Sequence, residues 1–264
     1  MKIHRTSPLI VEIIQSTQNP VEMLILSKRT RLNMVPGLFE EVKSMSQPDK
    51  DKELGYIFST ISSSLEFVDY TMLICGVTRA FTHQLVRHRV GVSFAQQSMR
   101  TVDMSAGFDW LATGSCASEC DGRVGQYTAA MAALSKTYKE LVDSGALPQD
   151  ARGLIPTNAL TNILMKINLR SLSELMGTRL CHKAQGEFQQ VAKAIKTAVL
   201  AIHPWAEPVL RVHCAKHGSC AFPRVMDCPV KHKFPSLISN KDFLKDIQNY
   251  RDLIESEAKP VGGK

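Results

Sequence analysis

The chain lacks the features that would place it in a membrane or outside the cell. None of its 264 residues falls in an apolar run approaching the roughly 20 needed to span a bilayer. Residues 1–16 hold a short apolar run with no small-residue cleavage site behind it, which reads as a strand and not a secretory leader. The cytoplasm is therefore the expected compartment. There is no internal repeat and no low-complexity block, which excludes solenoids and long disordered linkers. There is no Lys/Arg-rich tail, and this dispersal of basic charge argues against nucleic acid as the partner. Aromatics are sparse at 6%, and the two tryptophans, Trp110 and Trp205, stand singly and read as packed residues.

What is present is an ordinary globular composition, 44% hydrophobic and 22% charged. The length suits one large domain or two small ones. A formal charge of +7 attracts phosphates, whether on nucleic acid or on small nucleotides. The seven cysteines are an odd number, and in a chain without a leader they read as reduced thiols or metal ligands. Cys75 and Cys181 lie in apolar or helical contexts and read as core.

Residues 8–16 are short and β-branched and predict a strand. A helix follows from Pro20 with Asn19 at its N-cap, and another covers 50–63. A strand is expected over 67–77, then a helix opening at Thr78, with Phe81 and Leu85 at helical spacing. That places Arg87, His88 and Arg89 at a helix C-terminus. Residues 98–111 read as extended and 123–144 as a long helix. Residues 157–169 are ambiguous by periodicity, 169–181 are helical, and 184–212 hold one or two helices broken near Pro204. The tail after Cys214 reads as irregular, with a weak helical pattern over 241–257. The division expected is a main domain over 1–212 and a Cys/His/Pro-rich extension over 213–264. The mix of strands and long helices suggests α+β or α/β.

Residues 84–100 concentrate three arginines, one histidine, two hydroxyls and three amides. Arginine forks match phosphate oxygens and ring carbonyls in a bidentate way, and Ser and Gln add neutral donors. On composition alone the blander account weighs more: a solvated helix end whose Arg and His offset the negative pole of the dipole.

The pattern is nonetheless specific. Arg87-His88-Arg89 followed by Ser98-Met99-Arg100 resembles the signature of flavin-dependent thymidylate synthases, with a spacer one residue longer than the family's usual one. Residues 168–179, from Asn168 through Arg170, Ser171 and Leu172 to Arg179, resemble the family's Asn-x-Arg-Ser-Leu helix, which ends in a catalytic arginine. Ala184-Gln185-Gly186-Glu187 resembles its Ala-Gln-x-Glu continuation, and Ala151-Arg152 through Pro156 its Ala-Arg-x-x-Leu-Pro turn. These blocks occur in family order over roughly residues 60–205.

The resemblance implies an α+β, flavin-dependent thymidylate synthase-like fold with a central mixed or antiparallel sheet flanked by long helices, FAD as cofactor, and methylenetetrahydrofolate and NADPH as co-substrates. The implied reaction places a one-carbon group on C5 of dUMP. It assigns Arg179 to catalysis, through the cost of ionising the uracil ring. It assigns Gln84, Arg87, Gln96, Gln97, Ser98, Arg100, Arg152 and Arg179 to the nucleotide. Ser63, Arg87, His88, Arg89, Gln96, Asn168, Arg170 and Glu174 fall on flavin positions. It also implies a homotetramer with active sites at subunit interfaces. Ile61 and Phe67 replace two family histidines around Ser63 and Glu66, and Glu174 stands where the family often has Asn. A carboxylate cannot donate unless protonated. Methylation of dCMP, or hydroxymethylation of dUMP, stays open beside dTMP formation, as does a binding role without catalysis.

Cys214, Cys220, Cys228 and His232 are the candidate ligands of a structural zinc, with Cys116 and Cys120 as a second group. No short Cys-x-x-Cys pair is present, so free thiols in an irregular tail are the weightier reading. Asp150 reads as a turn or helix-start residue.

Overall fold

The computed structural model describes residues 3–117, 122–222 and 228. In chain order its elements are β1 (Ile3–Arg5), β2 (Ile10–Ser16), α1 (Pro20–Arg29), α2 (Leu38–Lys43) and α3 (Gln47–Thr60). A 3-10 turn over Ser62–Phe67 leads into β3 (Asp69–Thr78), α4 (Arg79–Leu85), β4 (Val92–Gln96) and β5 (Leu111–Thr113). Then come α5 (Arg123–Asp143), α6 (Pro148–Ala151), β6 (Leu160–Asn168), α7 (Leu169–Arg179), α8 (Gly186–Ile202) and α9 (His213–His217).

Four strands pair in the order β2-β3-β6-β4, each neighbour antiparallel, so the sheet is antiparallel throughout rather than mixed. β6 resolves the ambiguous stretch 157–169 as a strand. Ile163, Met165 and Ile167 are buried in alternation with exposed Asn162, Leu164 and Lys166. Leu164 on the exposed side is what blurred the period of two. Tyr70, Met72 and Ile74 of β3 bury on the same side as the buried residues of β6.

That buried face is covered by helices with clear apolar stripes. In α8, Phe188, Val191, Ala192, Ile195 and Val199 recur at helical spacing and are all fully buried. α7 buries Leu169, Leu172, Leu175 and Met176, and its first turn is capped by Asn168, whose Oδ1 accepts from the Ser171 amide at 2.8 Å. α4 is capped in the same way by Thr78, whose Oγ1 accepts from the Phe81 amide at 2.9 Å. A smaller layer forms where β1 pairs with β5 and Trp110, Ala112 and Met131 bury together.

Several boundaries differ from expectation. The helix expected over 50–63 begins earlier, at Ser46, whose side chain caps it, and stops at Thr60. Asn19 does precede α1, but in a left-handed conformation with no side-chain cap bond. Residues 98–111 are mostly turn, and the strand lies upstream, in β4, inside the polar segment. β4 is short and half-exposed, so its alternation is weak and its pairing with β6 creates it. The weak helical pattern over 241–257 lies outside the described residues. Among the described residues no helix is long and apolar enough to cross a membrane.

Candidate functional site

Two strand-to-helix junctions build the site. β3 runs into α4, and the turn after α4 carries Arg87, His88 and Arg89. β6 runs into α7, which carries Asn168 at its cap and Arg170, Glu174 and Arg179 along its length.

The β3–α4 junction is locked to α8 by one buried carboxylate. Glu187, at the start of α8, is 1% exposed. Its oxygens accept from the Thr78 amide at 2.8 Å and the Thr78 hydroxyl at 2.6 Å. Burial pushes the Glu187 carboxyl up, against the pull of those donors and of the Arg5 charge. Glu187 therefore ties the start of α8 to the cap of α4. The next residue, Phe188, forms the floor between the two junctions. The Arg179 guanidinium lies 4.2 Å over its ring, and the His88 ring meets it edge-on with centroids 6.4 Å apart.

At this floor two buried nitrogens, His88 Nε2 and Arg179 Nε, have no hydrogen-bond partner. Leaving a buried polar group unpaired costs about 1–3 kcal/mol. Arg179 does not cap the carbonyls of its own helix, as its position at a helix end allows; it stacks on Phe188. Burial lowers the pKa of Arg179. Burial, and then the neighbouring Arg179 charge, lower that of His88, so the imidazole is neutral at pH 7. The site thus presents a fixed cation beside an uncharged ring with a free nitrogen. Gln84 donates to Gln185 at its edge.

A polar rim adjoins α7. Arg170 is held by Glu66 at 2.5 Å and faces Glu174 at 3.6 Å. Arg31, from the loop after α1, donates to Ser63 at 3.1 Å. Asn168 spends its carbonyl on the helix cap, which leaves its amide NH2 as donor. Arg87 and Arg89 are exposed.

The remaining candidates converge elsewhere. Gln96, Gln97, Ser98 and Arg100 leave the end of β4 and face Arg152 across an open cleft of about 810 Å³. Gln96 Nε2 donates to Thr82 Oγ1 at 3.1 Å, which ties the cleft to α4. Arg79 and Asp150 also line it; sequence reasoning missed Arg79 and read Asp150 only as a turn residue. Phe188, Glu187 and Gln185 were passed over as individual site residues, although they lie inside the Ala-Gln-x-Glu block. Their role arises from contacts with residues about a hundred positions away, which no local pattern carries.

The turn after Arg89 is pinned to the cap of α7 through Val90 and Gly91. Gly91 has φ +64°, its carbonyl accepts from the Asn168 amide at 3.0 Å, and the Val90 carbonyl accepts from Ser171 Oγ at 2.7 Å.

The zinc reading finds no support: among the described residues no group of three or more His, Cys, Asp or Glu side chains could hold a metal. His232 and Cys120 lie outside the described residues. In α9 the imidazoles of His213 and His217 pack on each other, 4.4 Å apart. The six described cysteines are free thiols, and Cys75 and Cys181 are only half-buried rather than core.

The family model for the thymidylate synthase complementing protein matches residues 12–205. The flavin-dependent thymidylate synthase of Geobacter sulfurreducens is 34% identical over 196 residues, 74% of this chain and 83% of the relative. That of Nitratidesulfovibrio vulgaris is 29% identical, covering 88% of this chain and 99% of the relative. The fold resembles a UMP/dUMP methylase, PolB from Streptomyces cacaoi bound with 5-Br dUMP, at TM-score 0.63 and 20% identity, covering 77% of this chain and 94% of that one. It also resembles thymidylate synthase X from Helicobacter pylori with FAD and dUMP, at TM-score 0.57 and 24% identity, covering 77% and 99%. Helix-borne arginines, capping asparagine and Ala-Gln-x-Glu turn all fall inside the matched residues, and the chain belongs to the flavin-dependent thymidylate synthase family.

Proposed function

We propose that this enzyme transfers a one-carbon unit from methylenetetrahydrofolate to C5 of dUMP, giving dTMP, with FAD as cofactor and NADPH as reductant. The observation that carries the reading is the pair of unpartnered buried nitrogens, His88 Nε2 and Arg179 Nε, either side of Phe188. They fit a flat, polar-edged ring system, which both flavin and uracil are.

Ser63, Arg87, His88, Arg89, Asn168 and Arg170 would hold the flavin, with Gln96 at its edge toward the nucleotide. Glu174 can only accept there, and its charge is already matched by Arg170. Bound flavin supplies hydride chemistry that side chains do not provide. Gln84, Arg87, Gln96, Gln97, Ser98, Arg100 and Arg152 would hold the nucleotide, the arginines and Ser98 gripping phosphate. Arg179 has the catalytic role. C5 of the uracil must become electron-rich to attack its electrophile, and a fixed cation beside N3 and O2 stabilises the enolate-like charge that develops. This route needs no thiolate nucleophile. Cys181, the cysteine nearest in sequence to Arg179, is pushed by burial toward the neutral thiol, which makes it a poor one.

The active form in this reading is a homotetramer. In its support, Ile10 and Leu164 on the sheet face opposite the helices are 52% and 38% exposed, apolar surface that a second chain would cover.

The test is the visible spectrum of the purified protein, followed by addition of dUMP, methylenetetrahydrofolate and NADPH with mass analysis of the nucleotide. A flavin band and a dUMP gain of one methyl group are expected. A flavin band with no product from dUMP moves the substrate to dCMP. A protein that neither carries nor takes up FAD sinks the reading.

A further inference from the structure

Two unfavourable choices meet at one contact between α9 and α7. Lys216 lies on α9, beyond the matched residues 12–205. Its ammonium is largely buried, and its bonded partners are both neutral: the Ser173 carbonyl at 2.7 Å and the Ser173 hydroxyl at 3.1 Å. Burial lowers its pKa to about 8, with Glu174 pulling it back up. A buried ammonium without a bonded carboxylate is costly. One turn along the same helix, Gly177 is buried in the interior of α7, where glycine is a poor helix former. A methyl group at Gly177 would stand 3.2 Å from Lys216 Nζ and 3.5 Å from its Cε. The glycine therefore leaves the room through which the lysine crosses. Ser173 Oγ donates onward to the Val209 carbonyl at 2.7 Å, so the contact also ties α7 to the turn after α8.

We infer that Lys216 is a positioning residue for Arg179: it clamps the Ser173–Gly177 face of α7 and so fixes the rotation of the helix end from which Arg179 reaches over Phe188. The function of Arg179 rests on the reading above; the clamp itself does not. The segment after residue 205 is then part of the working enzyme and not an appendage. Lys216 touches neither nucleotide nor flavin in this account and acts through α7.

The experiment compares wild type, Lys216→Met, Gly177→Ala and the double variant as full-length flavin-loaded enzymes. Steady-state kinetics, FAD content, melting temperature and hydrogen exchange of the peptide over 173–182 are read on each. In Lys216→Met, kcat is expected to fall at least about ten-fold, as small misplacements of a catalytic group do. KM for dUMP and FAD content stay within about two-fold of wild type, since ground-state binding is not what the clamp supplies. Exchange over 173–182 speeds up. Gly177→Ala, whose methyl displaces the same ammonium, reproduces the pattern, and the double variant is no worse than the poorer single one. Wild-type kcat and exchange in Lys216→Met would overturn the proposal. So would a joint loss of FAD, dUMP affinity and melting temperature, which marks simple fold support. A wild type that binds FAD but forms no dTMP defeats the functional reading instead, and the exchange measurement still decides the clamp.

Discussion

At the scale of the residue, Arg179 is defined by what surrounds it more than by its own chemistry. It is a helix-end arginine in sequence, and such residues ordinarily serve carbonyls or the dipole. Here it rests on Phe188 with Nε buried and without a hydrogen-bond partner, so its charge is not spent on the carbonyls of its own helix. Arg179→Ala should lower kcat by about 100- to 1000-fold, the range for removal of one preorganised charge-stabilising donor. FAD absorbance per chain should be unchanged, because Arg179 is not among the residues proposed to hold the flavin. Stopped assays of dTMP with parallel spectra check this, and wild-type turnover would remove Arg179 from its role. Glu174 shows the same dependence on context. In sequence it is a departure from the family's asparagine; in the fold it lies against Arg170, with the Lys216 charge nearby.

At the scale of the element, the turn between α4 and β4 decides whether the signature residues can reach the site. Within it Gly91 adopts a left-handed conformation against the cap of α7. A side chain there is strained, and its Cβ would sit 2.3 Å from Asn168 Nδ2 and 2.6 Å from Ser171 Oγ. Gly91→Ala should therefore destabilise the fold by about 1–3 kcal/mol. It should also weaken flavin binding by displacing Asn168. Urea unfolding and an FAD titration measure the two effects, and a variant unchanged in both would show that the turn has slack. The elements with strong local signals were legible beforehand. α8 declares itself through its apolar stripe, and α4 through Thr78 and the spacing of Phe81 and Leu85. β4 was not legible, because only its partner β6 makes it a strand.

At the scale of the whole molecule, burial of histidines links stability to pH. His203 closes α8, and its Nδ1 meets the hydroxyl of fully buried Tyr70 at 3.0 Å. Burial lowers the pKa of His203, and burial is also the largest cause lowering those of His88 and His217. The folded state thus prefers the neutral rings, while the unfolded chain binds protons at about pH 6.5. Their contribution is fully present above about pH 6.5 and is lost as pH falls through the lower folded values. Urea midpoints should drop between pH 7.5 and pH 5.5, and His203→Gln should flatten part of that slope. A pH-independent midpoint over this window would contradict the assignment. A nucleotide and a flavin, both anionic, would be drawn to a chain of net charge +7.

The sequence by itself determined the family, the signature arginines and the class of fold, because those depend on residue types at fixed spacing. Arg87-His88-Arg89, Ser98-Met99-Arg100 and the Asn168-to-Arg179 helix could be read without coordinates. Only the tertiary structure decided how they meet. The carboxylate of Glu187 fastened to Thr78, Phe188 set between His88 and Arg179, and Lys216 passing over Gly177 all join positions far apart in the chain. The physical reason is that each depends on burial, which raises the cost of an unpaired polar group and so selects its partner. Burial is a property of the packed molecule and has no local signature in the chain.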